Sequence, residues 1–241
     1  MIFRQLISNS GGCITYILGC TQAGELIIID PKIDLVNEIV KFSKEYDMKI
    51  EYIIETHTHA DHISGAKKLA KETNGKVFVH ENSLVKYNAE KLKDGEELKV
   101  GNVLIKVIHT PGHTPDSMSL LLTDLKRGTE PWAVFTGDTL FVGGVGRVDI
   151  GGEDSIEKLF YSLQKLKNLP DYVEIYPTHT SGSLCGYGIS GKPSSTIGFE
   201  KKYNNLFRID NKEYFIKIIS TIKLPELKGF NEIIRKNIEN D

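Results

Sequence analysis

Short apolar runs and helical apolar stripes alternate along this chain, with turn residues between them. Five runs in the first third have the alternating or continuous apolar pattern of strands, at 2–8, 13–18, 25–30, 52–55 and 76–80. A helix is expected to open at Pro31, because four apolar residues follow it at helical spacing, namely Val36, Ile39, Val40 and Phe42. A second helix is predicted over 66–73, ended by Asn74 and Gly75.

The second half continues the same alternation. Segments 97–100 and 102–109 flank Gly101 as a hairpin, and further strands are predicted at 117–123, 132–136 and 174–177. A helix that Pro170 stops is marked by Ile156, Leu159, Phe160, Leu163 and Leu166. Beyond about 180 no strand pattern is found, and helical stripes lie at 215–222 and 230–234.

This alternation predicts an α/β fold in a single domain. We expect a core over 1–180 and a C-terminal loop-and-helix extension over 181–241 that packs on the same core. The apolar stripes of the extension favour core packing, although they also suit a contact between subunits.

Composition limits the classes of partner and the cellular compartment that are expected for the protein. Thirty basic and thirty-two acidic side chains leave a net charge of −2, without the basic excess of a nucleic-acid-binding protein. Three cysteines cannot form a disulfide framework and fit a reducing compartment. Neither an apolar run of about 18 residues nor a signal peptide pattern is found, so we expect a cytoplasmic protein that does not bind membranes.

The histidines carry the clearest chemical signal. Five of the seven lie in three short segments, 56–62, 111–114 and 177–180, and each segment follows a predicted strand. Asp138 follows the strand at 132–136 in the same way. Imidazole and carboxylate groups are ligands for zinc, iron or manganese, and loops at strand ends are where a rigid scaffold presents such groups.

The spacing of the first segment strengthens the prediction of a metal site. His57 and His59 are two residues apart, so in an extended segment they point the same way, and Asp61 and His62 follow at the next turn. The remaining candidate ligands are His113, Asp138 and His179. His80 and His109 are isolated, and we interpret them as packing residues.

Residues 56–62 match the T-H-x-H-x-D-H signature of the metallo-β-lactamase superfamily. The resemblance covers about residues 1–180 and implies an αββα sandwich with the metal site at one edge. Ala60 and segments 109–114, 139–149 and 181–186 resemble the persulfide dioxygenase branch of that superfamily. Two departures are Thr180-Ser181, where animal members have Asp-Tyr, and Val148, where Thr or Pro is usual.

The resemblance implies one Fe(II) per chain, held by His57, His113 and Asp138. His59, Asp61, His62 and His179 would then hydrogen-bond to the ligands. All seven ligand types of a two-metal site are present, so a second metal ion is an open alternative. Zinc in place of iron is another.

The implied reaction oxidises a low-molecular-weight persulfide, such as glutathione persulfide, with O2 to sulfite and a thiol. The alternative is thioester hydrolysis of the glyoxalase II kind at two zinc ions. The resemblance also implies a homodimer.

Two further residues are candidates for a catalytic role. Arg147 could grip a substrate carboxylate, or it could pair with Asp149 and hold the glycine-rich loop. Cys185 could carry persulfide sulfur, or it could simply pack. Cys20 is a weaker candidate of the same kind, and Cys13 is expected in the core.

Overall fold

The computed structural model describes residues 1–226 and 229–239. Its strands are β1 (Ile2–Ile7), β2 (Ile14–Cys20), β3 (Glu25–Ile29), β4 (Lys49–Ile54), β5 (Lys76–His80), β6 (Glu90–Leu92), β7 (Glu97–Val100), β8 (Val103–His109), β9 (Met118–Asp124), β10 (Ala133–Gly137), β11 (Leu140–Phe141), β12 (Gly144–Gly146), β13 (Glu174–Pro177), β14 (Gly186–Tyr187) and β15 (Ser195–Thr196). Its α-helices are α1 (Val36–Glu45), α2 (Ala66–Thr73), α3 (Ser155–Lys167), α4 (Ile197–Tyr203), α5 (Lys212–Thr221) and α6 (Phe230–Ile238).

Two six-stranded sheets form the centre of the molecule. The first has the order β1-β2-β3-β4-β5-β6, and the second has the order β15-β13-β10-β9-β8-β7. Within them β3 to β6 run parallel to one another, and so do β10 and β13. Apolar side chains from both sheets, among them Tyr16, Ile27, Leu120 and Phe135, form one core between them. A small third sheet has the order β11-β12-β14.

Helices cover the outer faces of both sheets. Val36 and Leu69, on α1 and α2, pack against Ile28 of the first sheet. Leu159 of α3 and Phe215 of α5 pack in a second cluster with side chains of the other sheet. The layers are therefore helix, sheet, sheet and helix, which confirms the expected αββα sandwich.

Helix α3 shows how the pattern of the sequence determines an element. Leu159, Leu163 and Leu166 repeat at three- and four-residue spacing and are fully or almost fully buried. Burial of each leucine side chain contributes about 1.5–3 kcal/mol to folding. The helix has 13 residues, and no helix in the described part of the chain is long and apolar enough to span a membrane.

The prediction that a helix opens at Pro31 is wrong. A 3₁₀ turn at Ile33–Leu35 comes first, and α1 begins at Val36. The carbonyl of Pro31 accepts a hydrogen bond from the backbone N–H of Gly65, and the N–H of Ile33 donates to Ile63. Both groups bind the loop after β4, and the carbonyl of Pro31 is therefore not available as the acceptor of a first helical turn.

The expectation of no strands beyond 180 is also wrong. β14 and β15 lie there, each only two residues long, and α4 follows directly. Strands this short leave no alternating pattern in the sequence, since alternation needs at least four residues. The division into a core and a C-terminal extension stays a prediction.

Candidate metal centre

The predicted ligands lie in loops that follow four strands of the two sheets. Segment 55–65 follows β4, segment 110–117 follows β8, and Asp138 and His179 follow β10 and β13. Because β10 and β13 are parallel neighbours, their carboxyl ends lie side by side. The start of β2 joins the same region, where Cys13 pairs with His179 in an isolated bridge.

Three of the predicted ligands form a closed cluster. The Nε2 atoms of His57 and His113 lie 3.6 and 3.4 Å from Oδ2 of Asp138. All three side chains are buried, and within the described residues none of these atoms has a hydrogen-bond partner. Buried polar atoms without a partner are rare in native proteins and call for a bound group. Two imidazole nitrogens and a carboxylate oxygen fit a divalent transition metal ion.

Hydrogen bonds on the far side of each ring fix the tautomers of the two histidines. The hydroxyl of Thr56 donates to Oδ2 of Asp30 at 2.8 Å, so at 2.9 Å it must accept from Nδ1 of His57. Nδ1 of His113 lies 2.9 Å from the carbonyl oxygen of Arg147, which can only accept. In both rings the lone pair is therefore on Nε2 and faces the cluster.

Burial keeps both histidines neutral. It lowers the pKa of His57 well below its ordinary value, and the neighbouring His59 lowers it further. Burial also lowers the pKa of His113. Neutral imidazole is the form that binds a metal, so the two rings are already in the ligand state.

Asp138 is oriented by His179. Nδ1 of His179 lies 2.8 Å from Oδ1 of Asp138, and its Nε2 lies 3.0 Å from Oδ2 of Asp61. Burial alone would lower the pKa of His179, but the two carboxylates hold it well above the ordinary value. The ring thus lies between two carboxylates, and Oδ2 of Asp138 is left to face His57 and His113.

His59 is directed toward a different set of groups. Its Nε2 lies 2.9 Å from Oε2 of Glu55 and 3.4 Å from Oδ1 of Asp30. Burial would lower the pKa of His59, yet these two carboxylates raise it well above its ordinary value. Among the described residues, Asp30, Glu55 and His59 form a second cluster, and the ring centroid of His59 lies 4.2 Å from that of His57 in the first.

A further set of side chains has the composition of a second metal site. Ligand atoms of Cys13, Asp61, His62 and His179 lie within 4.8 Å of one another. Nδ1 of His62 is 2.9 Å from Oδ1 of Asp61 and 3.7 Å from Sγ of Cys13. Cys13 is buried, as the sequence predicts, but its contact with His62 was not expected. The residue types for a second ion are therefore close together.

Asp30 organises the centre and was not singled out from the sequence. Its carboxylate accepts hydrogen bonds from the N–H and hydroxyl of Thr56 and from the hydroxyl of Thr178, at 2.7, 2.8 and 2.7 Å. These threonines precede His57 and His179 directly, so one carboxylate connects the ends of β4 and β13. The available signal was an acidic residue directly after the apolar strand Glu25–Ile29.

The side chain of Arg147 is fully engaged within the fold. Its Nε and Nη2 donate to the two carboxylate oxygens of Asp149 at 2.7 and 2.6 Å, and Nη1 donates to the carbonyl of Leu184 at 2.9 Å. Arg147 is 2% exposed. These contacts are those of the structural alternative, in which Arg147 holds the glycine-rich loop whose carbonyl orients His113. A role in gripping substrate stays a prediction.

Cys185 and Cys20 lie in different parts of the molecule. Sγ of Cys185 is within 4.8 Å of ligand atoms of Asp138 and His179, and the residue is fully buried. Burial raises the pKa of the Cys185 thiol well above its ordinary value, which disfavours the reactive thiolate. Cys20 is the last residue of β2, and the length of that strand, about 20 Å, separates it from the metal loops. Its Sγ accepts a hydrogen bond from the backbone N–H of Asn102. Sulfur transfer through either thiol stays a prediction.

His80 and His109 pack against each other, at a ring-centroid distance of 3.9 Å. In the described part of the chain neither belongs to a group of three or more metal-ligating side chains. This position agrees with their interpretation as packing residues.

The matches to known proteins agree with this geometry. The family model of the metallo-beta-lactamase superfamily matches residues 13–179, the span from Cys13 to His179 that holds every candidate ligand. The chain belongs to the metallo-beta-lactamase superfamily. It shares that superfamily's fold and is similar to metal-dependent enzymes within it.

Members of two functional groups of the superfamily are similar to this chain. A hydroxyacylglutathione hydrolase of Nitrosococcus oceani is 30% identical over 94% of this chain and 92% of its own length. The mitochondrial persulfide dioxygenase ETHE1 of Bos taurus is 28% identical over 99% of this chain and 88% of its own length. The crystal structure of ETHE1 from Myxococcus xanthus has a TM-score of 0.87 and 32% identity, covering 98% of both chains.

These relatives support the predicted persulfide dioxygenase branch, while the hydrolase is similar to a comparable extent. The superfamily similarity and the ligand clusters identify a metal-binding enzyme that acts on a small molecule.

Proposed function

We propose that this chain is a persulfide dioxygenase with one ferrous ion held by His57, His113 and Asp138. The observation that carries the proposal is the closed cluster itself: the Nε2 atoms of His57 and His113 lie 3.6 and 3.4 Å from Oδ2 of Asp138, and none of these buried atoms has a hydrogen-bond partner among the described residues. His59 and His179 each lie against two carboxylates, those of Asp30 and Glu55 for His59 and those of Asp61 and Asp138 for His179. A set of two histidines and one carboxylate with vacant coordination positions is typical of non-haem iron oxygenases.

The chemistry that ferrous iron supplies at such a site is joint binding of a sulfur ligand and dioxygen, with electron transfer between them. The overall reaction is R–S–S⁻ + O2 + H2O → R–SH + SO3²⁻ + H⁺. The terminal sulfur is oxidised, O2 is reduced, and the sulfur–sulfur bond breaks to release the thiol.

The protein contributes orientation and charge. Thr56 and the carbonyl of Arg147 keep the lone pairs of His57 and His113 directed at the cluster, where they would bind the ion. His179 holds one oxygen of Asp138, so that the other faces His57 and His113 and would bind the ion. Two neutral rings and one carboxylate would cancel only one of the two positive charges of a divalent ion. The remaining charge would attract an anionic persulfide.

A second candidate function is supported by the set Cys13, Asp61, His62 and His179. These side chains could hold a second ion, as a thioester hydrolase with two zinc ions requires. The hydrolase relative from Nitrosococcus oceani is consistent with this alternative.

Two assays on one preparation separate the candidates. Purified protein is tested for O2 consumption with glutathione persulfide and for hydrolysis of S-lactoylglutathione. The proposal predicts O2 uptake with sulfite as product, and loss of both after treatment with a ferrous chelator. Hydrolysis of the thioester without persulfide-dependent O2 uptake would contradict it and support the hydrolase.

A further inference from the structure

The last described helix, α6, contacts the metal loop through one buried side chain. The amide nitrogen Nδ2 of Asn237 donates to the backbone carbonyls of His59 and His62, both at 2.9 Å. Its Oδ1 accepts from the backbone N–H of Ser64 at 3.0 Å. One side chain from the end of the chain thus makes three hydrogen bonds to the segment that carries four candidate ligands.

These bonds hold one side of the loop, and the segment between β3 and α1 holds the other. The carbonyl of Ile63 accepts from Ile33, and the N–H of Gly65 donates to Pro31. The loop between β4 and α2 is neither strand nor helix, so its backbone N–H and carbonyl groups are not paired within a regular element. Its conformation therefore depends on partners that are distant in sequence.

Contacts at the last turn of α6 determine where Asn237 lies. Nζ of Lys67 donates to the carbonyls of Lys236 and Glu239 at 3.0 and 2.9 Å, and the backbone N–H of Lys86 donates to Ile238 at 2.8 Å. The final carbonyls of a helix have no intrahelical partner, and lysines are favourable there. The helix end is thus bound to α2 and to the segment after β5.

We propose that Asn237 is a positioning residue of the metal centre, which holds the backbone of His59 and His62 so that the ligand loop keeps its geometry. The proposal rests on the metal centre proposed above, but not on which metal or which reaction it supports. An amide is suited to this position because it donates two hydrogen bonds and accepts one. A carboxylate of the same size can only accept, so it would oppose both carbonyl oxygens.

The test compares Asn237→Ala and Asn237→Asp with wild type and with Asn231→Ala. Asn231 is exposed on the same helix, so its variant controls for a change of helix sequence. The full-length proteins are loaded with Co(II), and metal release to EDTA is measured well below the melting temperature. Hydrogen exchange of the segment 56–65 and the visible Co(II) spectrum are recorded in parallel.

We expect both Asn237 variants to release the metal about 10-fold faster, with faster exchange at Ser64 and an altered Co(II) spectrum. Asn231→Ala should match wild type. The inference is overturned if the Asn237 variants only melt at a lower temperature and release Co(II) at the wild-type rate with an unchanged spectrum, because that is the behaviour of a purely structural residue.

A second variant decides the question if the Asn237 variants do not fold. Lys67→Met removes the side-chain bonds to the end of α6 and leaves Asn237 intact. Faster release from this variant supports the proposal, and wild-type release overturns it. Wild-type protein that binds no metal would instead contradict the metal centre itself, and the positioning role with it.

Discussion

The hydroxyl of Thr56 links the buried carboxylate of Asp30 to the ring of His57, so its removal should affect metal binding as well as stability. It donates to Asp30 at 2.8 Å and accepts from His57 at 2.9 Å. Thr178 is a matched control, because its hydroxyl donates to the same carboxylate oxygen at 2.7 Å but, among the described residues, makes no hydrogen bond to the ring of His57 or His113. Both threonines are buried, so valine preserves the shape of either site.

The expected magnitudes follow from these contacts. A hydrogen bond to a charged group contributes about 1.5–3 kcal/mol, so Thr178→Val should lower the free energy of unfolding by that amount. Thr56→Val should cost about 1–3 kcal/mol more, because the buried Nδ1–H of His57 loses its acceptor. It should also weaken metal binding about 10- to 100-fold, since the ring is no longer fixed with Nε2 toward the cluster.

Two measurements test this difference. Urea denaturation of the metal-free proteins gives the free energy of unfolding, and competition with a chelator gives the metal affinity of the folded proteins. We expect Thr178→Val to keep an affinity near that of wild type. Equal loss of affinity in the two variants, or wild-type affinity in Thr56→Val, would refute the assigned role of the hydroxyl.

Three further outcomes are expected. Arg147→Lys should lower the melting temperature, because lysine cannot reproduce the two hydrogen bonds that Arg147 donates to Asp149. The KM for persulfide should stay nearly unchanged. A sharp rise in KM would instead support a role of Arg147 in gripping substrate. Burial and the stacked His109 lower the pKa of His80 to about 4, below its unfolded value of about 6.5, so the unfolded state binds the proton more tightly. The free energy of unfolding should therefore fall as pH is lowered from about 6.5 to about 4. In denaturation measured at several pH values, His80→Gln should make this fall smaller. An unchanged fall would exclude His80 as its source. Cys185 should stay unmodified when folded protein is treated with iodoacetamide or a persulfide at neutral pH, as mass spectrometry would report, and its modification would support sulfur transfer.

The metal ligands can be predicted from sequence because their pattern is local. His57, His59 and His62 lie within six residues, and His113 and His179 each follow a recognisable strand. The long strands and helices are predictable because they have clear apolar periods, which indicate an α/β fold, whereas the sandwich arrangement was implied by the resemblance to the superfamily. The short strands β14 and β15 are not, because their pairing depends on residues far along the chain.

The groups that orient the ligands could not be predicted in this way. Asp30 and Asn237 are 26 and 178 residues from the groups they bind at Thr56 and His59. Their side chains are common in turns and helices, so residue type alone does not separate a buried hydrogen-bonding partner from a solvated one. Tertiary structure decides this, because it alone brings their hydrogen-bonding groups to the metal loop.

Elemental analysis of the protein purified without added metal tests the central claim most directly. If His57, His113 and Asp138 are the complete ligand set, the protein should contain about one iron ion per chain and little zinc. An Asp138→Ala variant that stays folded should contain neither metal. Two zinc ions per chain in the wild type would contradict the account, because the second would have to be bound by Asp61, His62 and His179.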